Sequence, residues 1–248
     1  MKRVLAALLL VGLGGIGSAS AAGLDGAAYD WSGIYAGLDL GAASGQVNAL
    51  DITQPNGGFF TDEVPAGTEG FSFNAGSIAA GAHAGAQYQW QQLVFGGEVT
   101  FGGTGISDKI VSPYFPDSDT ETGSIGRFAT AVGRVGYAFD HFMIYGKAGY
   151  AGGEVGFRAH DADSLAIPVT YQQSVWQNGY ALGAGVDYAL TDTLSVGIDY
   201  THLNLGSGQS TGPNVFADGS LGVNPETYRT TAAADVIMGR LSVKFGAD

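Results

Sequence analysis

Ionisable residues recur in this chain at positions whose immediate neighbours are oily. Between Tyr180 and Tyr200 (YALGAGVDYALTDTLSVGIDY) one alternating set holds Tyr180, Leu182, Ala184, Val186, Tyr188 and Leu190, then Leu194, Val196, Ile198 and Tyr200. The other set is small and acidic: Ala181, Gly183, Gly185 and Asp187, then Ser195, Gly197 and Asp199. The same parity separates Glu98 from Phe95, Val99 and Phe101, and Arg134 from Val135, Tyr137 and Phe139. It separates Lys147 from Phe142, Ile144, Ala148 and Tyr150, and Asp39 from Ile34, Leu38 and Leu40. Near the C-terminus it separates Arg240 and Lys244 from Ile237, Leu241, Val243 and Phe245. Side chains alternate between the two faces of a strand, so these charges share the face that the oily residues leave. Acids and bases gathered on one face are suited to pairing with each other.

Other chemistry is thinly represented. His83, His141, His160 and His202 are scattered without metal-ligand spacing. No catalytic residue, cofactor site or metal site is expected. The chain has no cysteine, which excludes thiol chemistry and disulfides. Asp117-Ser-Asp-Thr-Glu121 offers oxygen ligands for calcium but lacks the spacing and glycine of an EF-hand loop, so it reads as a solvated acidic loop.

The elements that carry these residues read as eight strands, near Gly33–Ser44, Ser77–Trp90, Leu93–Gly105, Arg127–Phe139, Phe142–Phe157, Trp176–Leu190, Leu194–Gly206 and Thr231–Phe245. Three connections are tight turns, at Gln91-Gln92, Asp140-His141 and Thr191-Asp192-Thr193. Four others, 45–76, 106–126, 158–175 and 207–230, are rich in Gly, Pro, Asp, Ser and Asn and read as long loops. Aromatic residues bracket the oily face at two levels. Tyr88, Trp90, Phe95, Tyr137, Phe139, Phe142, Tyr188 and Phe245 stand near the short turns; Phe101, Tyr150, Trp176, Tyr180 and Tyr200 stand near the long loops. Amphipathic rings prefer head-group depth, and in lipid only helices and closed barrels satisfy their backbone. The pattern therefore predicts an all-β fold: an eight-stranded antiparallel transmembrane β-barrel with short periplasmic turns and four long extracellular loops.

The N-terminus carries Lys2 and Arg3, an apolar run from Val4 to Ile16 and the small residues Ser18 to Ala22. This reads as a signal peptide over 1–21, cleaved after Ala21 or Ala22, because the apolar run is too short to span a bilayer. A short lead-in over 22–32, the barrel over 33–245 and an extension over 246–248 follow. The 42 glycines have no collagen period and suit strongly bent strands around a small interior. A net charge of −13 argues against nucleic acid as a partner.

The chain resembles the small alphaproteobacterial outer-membrane immunogenic, or porin-family, β-barrel proteins within the OmpA-like barrel superfamily. The matching residues are Trp31-Ser-Gly-Ile-Tyr-Ala-Gly, Gly85-Ala-Gln-Tyr-Gln-Trp90, Val94-Phe-Gly-Gly-Glu98, Gly133-Arg-Val-Gly-Tyr-Ala-Phe139, Tyr145-Gly-Lys-Ala-Gly-Tyr150 and Gly183-Ala-Gly-Val-Asp-Tyr-Ala-Leu190. The resemblance implies the outer membrane of a Gram-negative bacterium. It implies lipid and lipopolysaccharide as surroundings, and the barrel-assembly machinery as a partner of the C-terminal strand. Leu241, Val243 and Phe245 keep the family's alternating terminal signal, and Gly246-Ala247-Asp248 extends beyond it. Host or surface ligands are expected at the loops. Small lipid A deacylases of similar build use a His followed two residues later by a Ser; Thr201-His202-Leu203-Asn204 has Asn204 at that place.

Turn length sets register. Phe139 faces Phe142 across Asp140-His141, which puts Arg134 opposite Lys147. Like charges in that position repel, so acids must lie beside them. Glu98, Arg134, Lys147, Asp199 and Arg240 are expected to form one charged layer, supplemented by Asp187, Asp39 and His83, with Lys244 on the same face. An eight-stranded barrel is just wide enough for side chains to fill it. The layer is thus expected to plug a non-enzymatic barrel that supports the envelope and displays loops. A narrow diffusion channel and a lipid A-modifying enzyme are the alternatives. The long loops hold twelve acids and three bases (Lys109, Arg158, Arg229), which puts most of the negative charge on the outer surface.

Overall fold

The computed structural model describes residues 29–54, 65–162 and 167–245. The expected signal peptide and the extension over 246–248 lie outside the described residues. The described residues form nine strands: β1 (Gly33–Asp51), β2 (Gly70–Trp90), β3 (Leu93–Val111), β4 (Asp119–Phe139), β5 (Phe142–Asp161), β6 (Val169–Ala189), β7 (Leu194–Gly212), the two-residue β8 (Val215–Phe216) and β9 (Glu226–Phe245). The order β5-β4-β3-β2-β1-β9-β7-β6 closes through β5–β6 pairing into a ring of eight antiparallel strands, with β8 paired to the start of β6. Closure leaves no long edge, so the backbone is satisfied without water. Phe139 faces Phe142, and Arg134 faces Lys147, at the expected register.

The eight ring strands run 19–21 residues each, well beyond the expected lengths. The loops expected over 45–76, 106–126, 158–175 and 207–230 shrink accordingly to connections at 52–69, 112–118, 162–168 and 213–225. About 9–11 residues of a tilted strand cross a bilayer. The other half of each strand continues the barrel past the apolar belt.

The two halves solve opposite problems. At the short-turn end the outward face is oily: Ile34, Leu38, Leu40, Val99, Val135, Ile144, Ile198 and Leu241 are all exposed. The twelve girdle residues Trp90, Phe95, Phe101, Tyr137, Phe139, Phe142, Tyr150, Trp176, Tyr180, Tyr188, Tyr200 and Phe245 also face outward, from 38% exposed at Tyr188 to 60% at Trp90. Toward the other end the outward positions become polar: Ser44, Gln46 and Asn48 on β1, Thr120, Thr122 and Ser124 on β4, Gln172 and Ser174 on β6. There the inward positions become apolar. Val47, Phe73, Ile125, Phe128, Val155, Phe157, Tyr171, Leu203, Leu205 and Tyr228 fill the lumen as one buried core. Side-chain parity is unchanged along β1, β2, β3, β5, β6 and β9 and moves by one residue at the bulges of β4 and β7; the surroundings change from lipid to water, and the residue types follow.

Pairing slips between Gly103 and Ile106, Ile125 and Phe128, and Asn204 and Ser207, at the level where polarity inverts. Such bulges bend a strand and add twist. Gly206 in the third has φ +65°, a left-handed conformation that glycine adopts without strain.

The apolar half should behave as a soluble core. Phe157→Ala removes a ring stacked among Phe71, Phe73, Tyr171 and Tyr228. It should lower unfolding stability by about 3–5 kcal/mol. Urea unfolding of the barrel in lipid vesicles, followed by tryptophan fluorescence, measures the loss.

Candidate functional site

The lumen of the oily half holds the charged layer. Glu98 is its hub: Oε2 accepts hydrogen bonds from Arg134 Nη1 at 2.9 Å, Arg240 Nη2 at 2.6 Å and Tyr35 Oη at 3.0 Å. Lys147 Nζ lies 3.9 Å from Oε1. Arg134 also donates to Asp187 at 2.8 Å, with its guanidinium 3.8 Å from the centre of the Tyr145 ring. Lys147 donates to Asp199 at 2.8 Å. Arg240 lies within 3.3 Å of Asp39 and 3.6 Å of Asp199. His83 bridges Asp39, at 2.8 Å, and Ser242, at 2.9 Å. The repulsion between the facing Arg134 and Lys147 is relieved because each turns toward a different acid.

Seven of the expected charges meet here: Asp39, Glu98, Arg134, Lys147, Asp187, Asp199 and Arg240, all buried. Lys244 does not join them. It sits at the short-turn end, its ammonium 4.2 Å over the Tyr29 ring and donating to the Asp30 carbonyl. The physical reason is the stretch 29–32, which folds under the barrel. Tyr29 and Trp31 are buried there against Val94, Ala138, Met143, Tyr145 and Ala189. The Trp31 backbone is tied to Gln89 and Gln87.

Sequence reasoning missed Tyr35 and Tyr145. Tyr145 Oη donates to Asp199 at 2.7 Å and accepts from Arg240 at 3.0 Å. Both tyrosines have the inward parity of Asp39 and Lys147, which was the available signal. Both lie over glycines: a Cβ on Gly85 or Gly185 would overlap the Tyr35 or Tyr145 ring. Here glycine serves close approach rather than a turn.

Two small cavities adjoin the charged layer. A cavity of ≈ 10 Å³ lies among Glu98, Lys147, Asp199 and Arg240, and one of ≈ 20 Å³ lies beneath it beside Trp31, Tyr35 and Arg134. Each is about the room one water needs. Along the lumen lie successive layers: Tyr29 and Trp31, the charge network and the aromatic core.

Above the core, the far mouth gathers acids. Asp51, Glu69, Asp119, Glu121 and Glu226 are buried, although the sequence placed them on the outer surface. Asp51 and Glu226 continue the inward parity of β1 and β9 to the rim, and on β4 the bulge between Ile125 and Phe128 turns the odd positions Asp119 and Glu121 inward. Burial, reinforced by Asp51, pushes the Glu69 carboxyl up to about 7. Burial also pushes Glu121 up to about 7, against a Ser112 hydrogen bond and with the help of Asp119 and Glu69. Asp119 rises to about 6 through burial, opposed by a Ser118 hydrogen bond and aided by Asp161. Asp117 stays exposed while Asp119 and Glu121 turn inward, and no three acidic or histidine groups converge on a metal position among the described residues.

On the outer wall, His202 Nδ1 lies 2.9 Å from Asp235, which also accepts from Tyr200 at 2.7 Å. Asn204 occupies the next outward position, and no hydroxyl bonds the other His202 nitrogen among the described residues.

Residues 6–232 match a family model described as outer membrane protein beta-barrel domain. The chain is 27% identical over 182 residues to the 31 kDa outer-membrane immunogenic protein of Brucella melitensis, covering 72% of each. It is 30% identical over 154 residues to the 22 kDa outer membrane protein of Rhizobium leguminosarum bv. viciae, covering 56% of this chain and 65% of that one. The fold is similar to that of the outer membrane protein OprG of Pseudomonas aeruginosa, with a TM-score of 0.52 at 14% identity, covering 89% of this chain and 99% of OprG.

Two outcomes follow from the geometry. Glu98→Gln leaves Arg134 and Arg240 without their shared carboxylate; it should cost about 3–5 kcal/mol, read as an earlier transition in heat-modifiable gel migration. At the mouth, raised carboxyl values mean that the fold holds protons the unfolded chain releases. That stability is full below about pH 4.5 and is lost as pH rises toward 7. Hydrogen exchange at 112–125, corrected for intrinsic rate, should be slower at pH 5 than at pH 8, and Glu121→Gln should flatten the difference.

Proposed function

The chain belongs to the outer membrane protein β-barrel domain family, and from that membership we propose that it works as a closed barrel, bracing the outer membrane and holding loops above it. The observation that carries this reading is the lumen, filled in series by Trp31, the Glu98 network and the Phe157–Tyr228 core. A narrow passage would have to displace all three layers. In this reading the short turns face the periplasm, the water-facing half of the barrel stands outside the cell, and the connection 213–225 lies at its rim. The Brucella relative is named as immunogenic, which accords with a raised rim offered to the surroundings.

The same reading makes the protein non-enzymatic. A His202–Asp235 pair resembles two-thirds of a hydrolytic arrangement, but hydrolysis by that route needs an adjacent hydroxyl nucleophile. Asn204 supplies none.

Purified barrel in planar bilayers should give no reproducible conductance steps, and steps abolished by filling the lumen further would overturn closure. Lipid A from cells overexpressing the protein should keep an unchanged mass spectrum; loss of an acyl chain would overturn the non-enzymatic reading.

A further inference from the structure

Beyond the girdle the strands sort their charges by face. Asp51, Glu69, Asp119, Glu121 and Glu226 point into the lumen and are buried, while Lys109, Arg158 and Arg229 point outward and are exposed. In a chain of net charge −13, the water-facing half of the wall therefore turns its bases to the surroundings.

Two of those bases stand in one row. Lys109 on β3 pairs with Thr122 on β4, Thr122 with Arg158 on β5, and Arg158 with Gln172 on β6. Adjacent strands are about 4.8 Å apart, so the two cations flank Thr122 at roughly 10 Å between backbones. Two long side chains can close that distance onto one phosphate. The row beneath adds hydroxyls: Ser107, Ser124, Gly156 and Ser174 are successive partners on the same strands. A Cβ on Gly156 would meet Ser124 Oγ at 2.6 Å and Ser174 Oγ at 3.1 Å, so these hydroxyls crowd a notch that only glycine leaves open below Arg158. The side chains of Lys109, Thr122, Ser124, Arg158, Gln172 and Ser174 make no hydrogen bond or ion pair among the described residues. The outward acid nearest along β5, Glu154, is occupied by Arg127 at 2.7 Å.

The girdle gives this patch its depth. Trp176 pairs with Glu154, four positions below Arg158 on β5. Four residues span roughly 13 Å of strand, or roughly 10 Å of height at a tilt of ~40°. That places Lys109 and Arg158 just beyond the hydrocarbon edge, in the anionic head-group layer.

We propose that the outer wall of β3–β5, built on Lys109 and Arg158 with the hydroxyls of Thr122 and Ser124 between them, binds the phosphate groups of the outer-leaflet glycolipid. Arg and Lys on phosphate form charge-assisted hydrogen bonds, stronger than neutral ones. The hydroxyls add donors that fix the group over β4. Arg229 stands apart on β9, between Leu50 and Gln209, and serves as the control.

The test uses the full barrel in detergent micelles, titrated with bis-phosphorylated lipid A and with the same lipid enzymatically dephosphorylated. The wild-type barrel should bind the phosphorylated form at least about tenfold more tightly, less so at high salt. K109E/R158E should lose that preference, K109Q/R158Q should lose most of it, and R229E should keep it. Heat-modifiable migration establishes that each variant is folded. Equal binding of the two lipids, retained preference in K109E/R158E, or equal loss in R229E would overturn the proposal. Full displacement of lipid by millimolar inorganic phosphate would also overturn it, by marking a site for a free anion.

Discussion

Each ring strand passes from hydrocarbon into water without leaving the sheet, and this constraint organises the rest of the molecule. Most of the strands keep one alternation throughout, because a one-residue slip would turn every side chain to the wrong face; β4 and β7 shift theirs only at a bulge. The residue types must change instead. Where lipid lies outside, oily side chains face out and the lumen takes the charges. Where water lies outside, Ser, Thr, Asn and Gln face out and the lumen takes Phe73, Phe157, Tyr171 and Tyr228. The bulges near Ile106, Phe128 and Ser207 sit at the crossover. They give the wall local freedom to bend where its two interiors differ most in bulk.

The charged layer follows from the same constraint. Arg134, Lys147 and Arg240 cannot face lipid cheaply, and once inside they need partners that leave no charge alone. Glu98 meets this by serving all three, with Asp187, Asp199 and Asp39 taking one flank each. Tyr35 and Tyr145 tie the carboxylates to the guanidinium groups and fill the ring between them. The buried polarity fixes one arrangement of side chains rather than adding much net stability over an apolar filling.

The ring, its register and the seven meeting charges were legible because the oily face repeats with period two and tight turns pin the strands. Lys244 obeyed the same parity, yet it lies below the layer, where the lead-in rather than an acid receives it. Parity gives the face of a strand but not the depth. The far half of each strand was illegible for a related reason. Val47 and Ala49, Phe71 and Phe73, and Leu203 and Leu205 alternate as regularly as the membrane half. Their oily residues fall on the opposite parity, amid the Gly, Asn, Ser and Asp that ordinarily mark loops. A search for the switch in phase, rather than for continued oiliness on one face, would have found them.

The cap at the short-turn end joins the extremes of the chain. β1 and β9 are neighbours along their whole length, and Lys244 reaches Asp30, 214 positions away. This seam has the longest sequence separation in the ring, so its closure carries the largest loop entropy of the ring pairings. Trp31 can pack under Met143 and Ala189 only once the intervening strands have curved around it. The packing at the short-turn end is therefore also the stitch that joins the first and last strands of the ring.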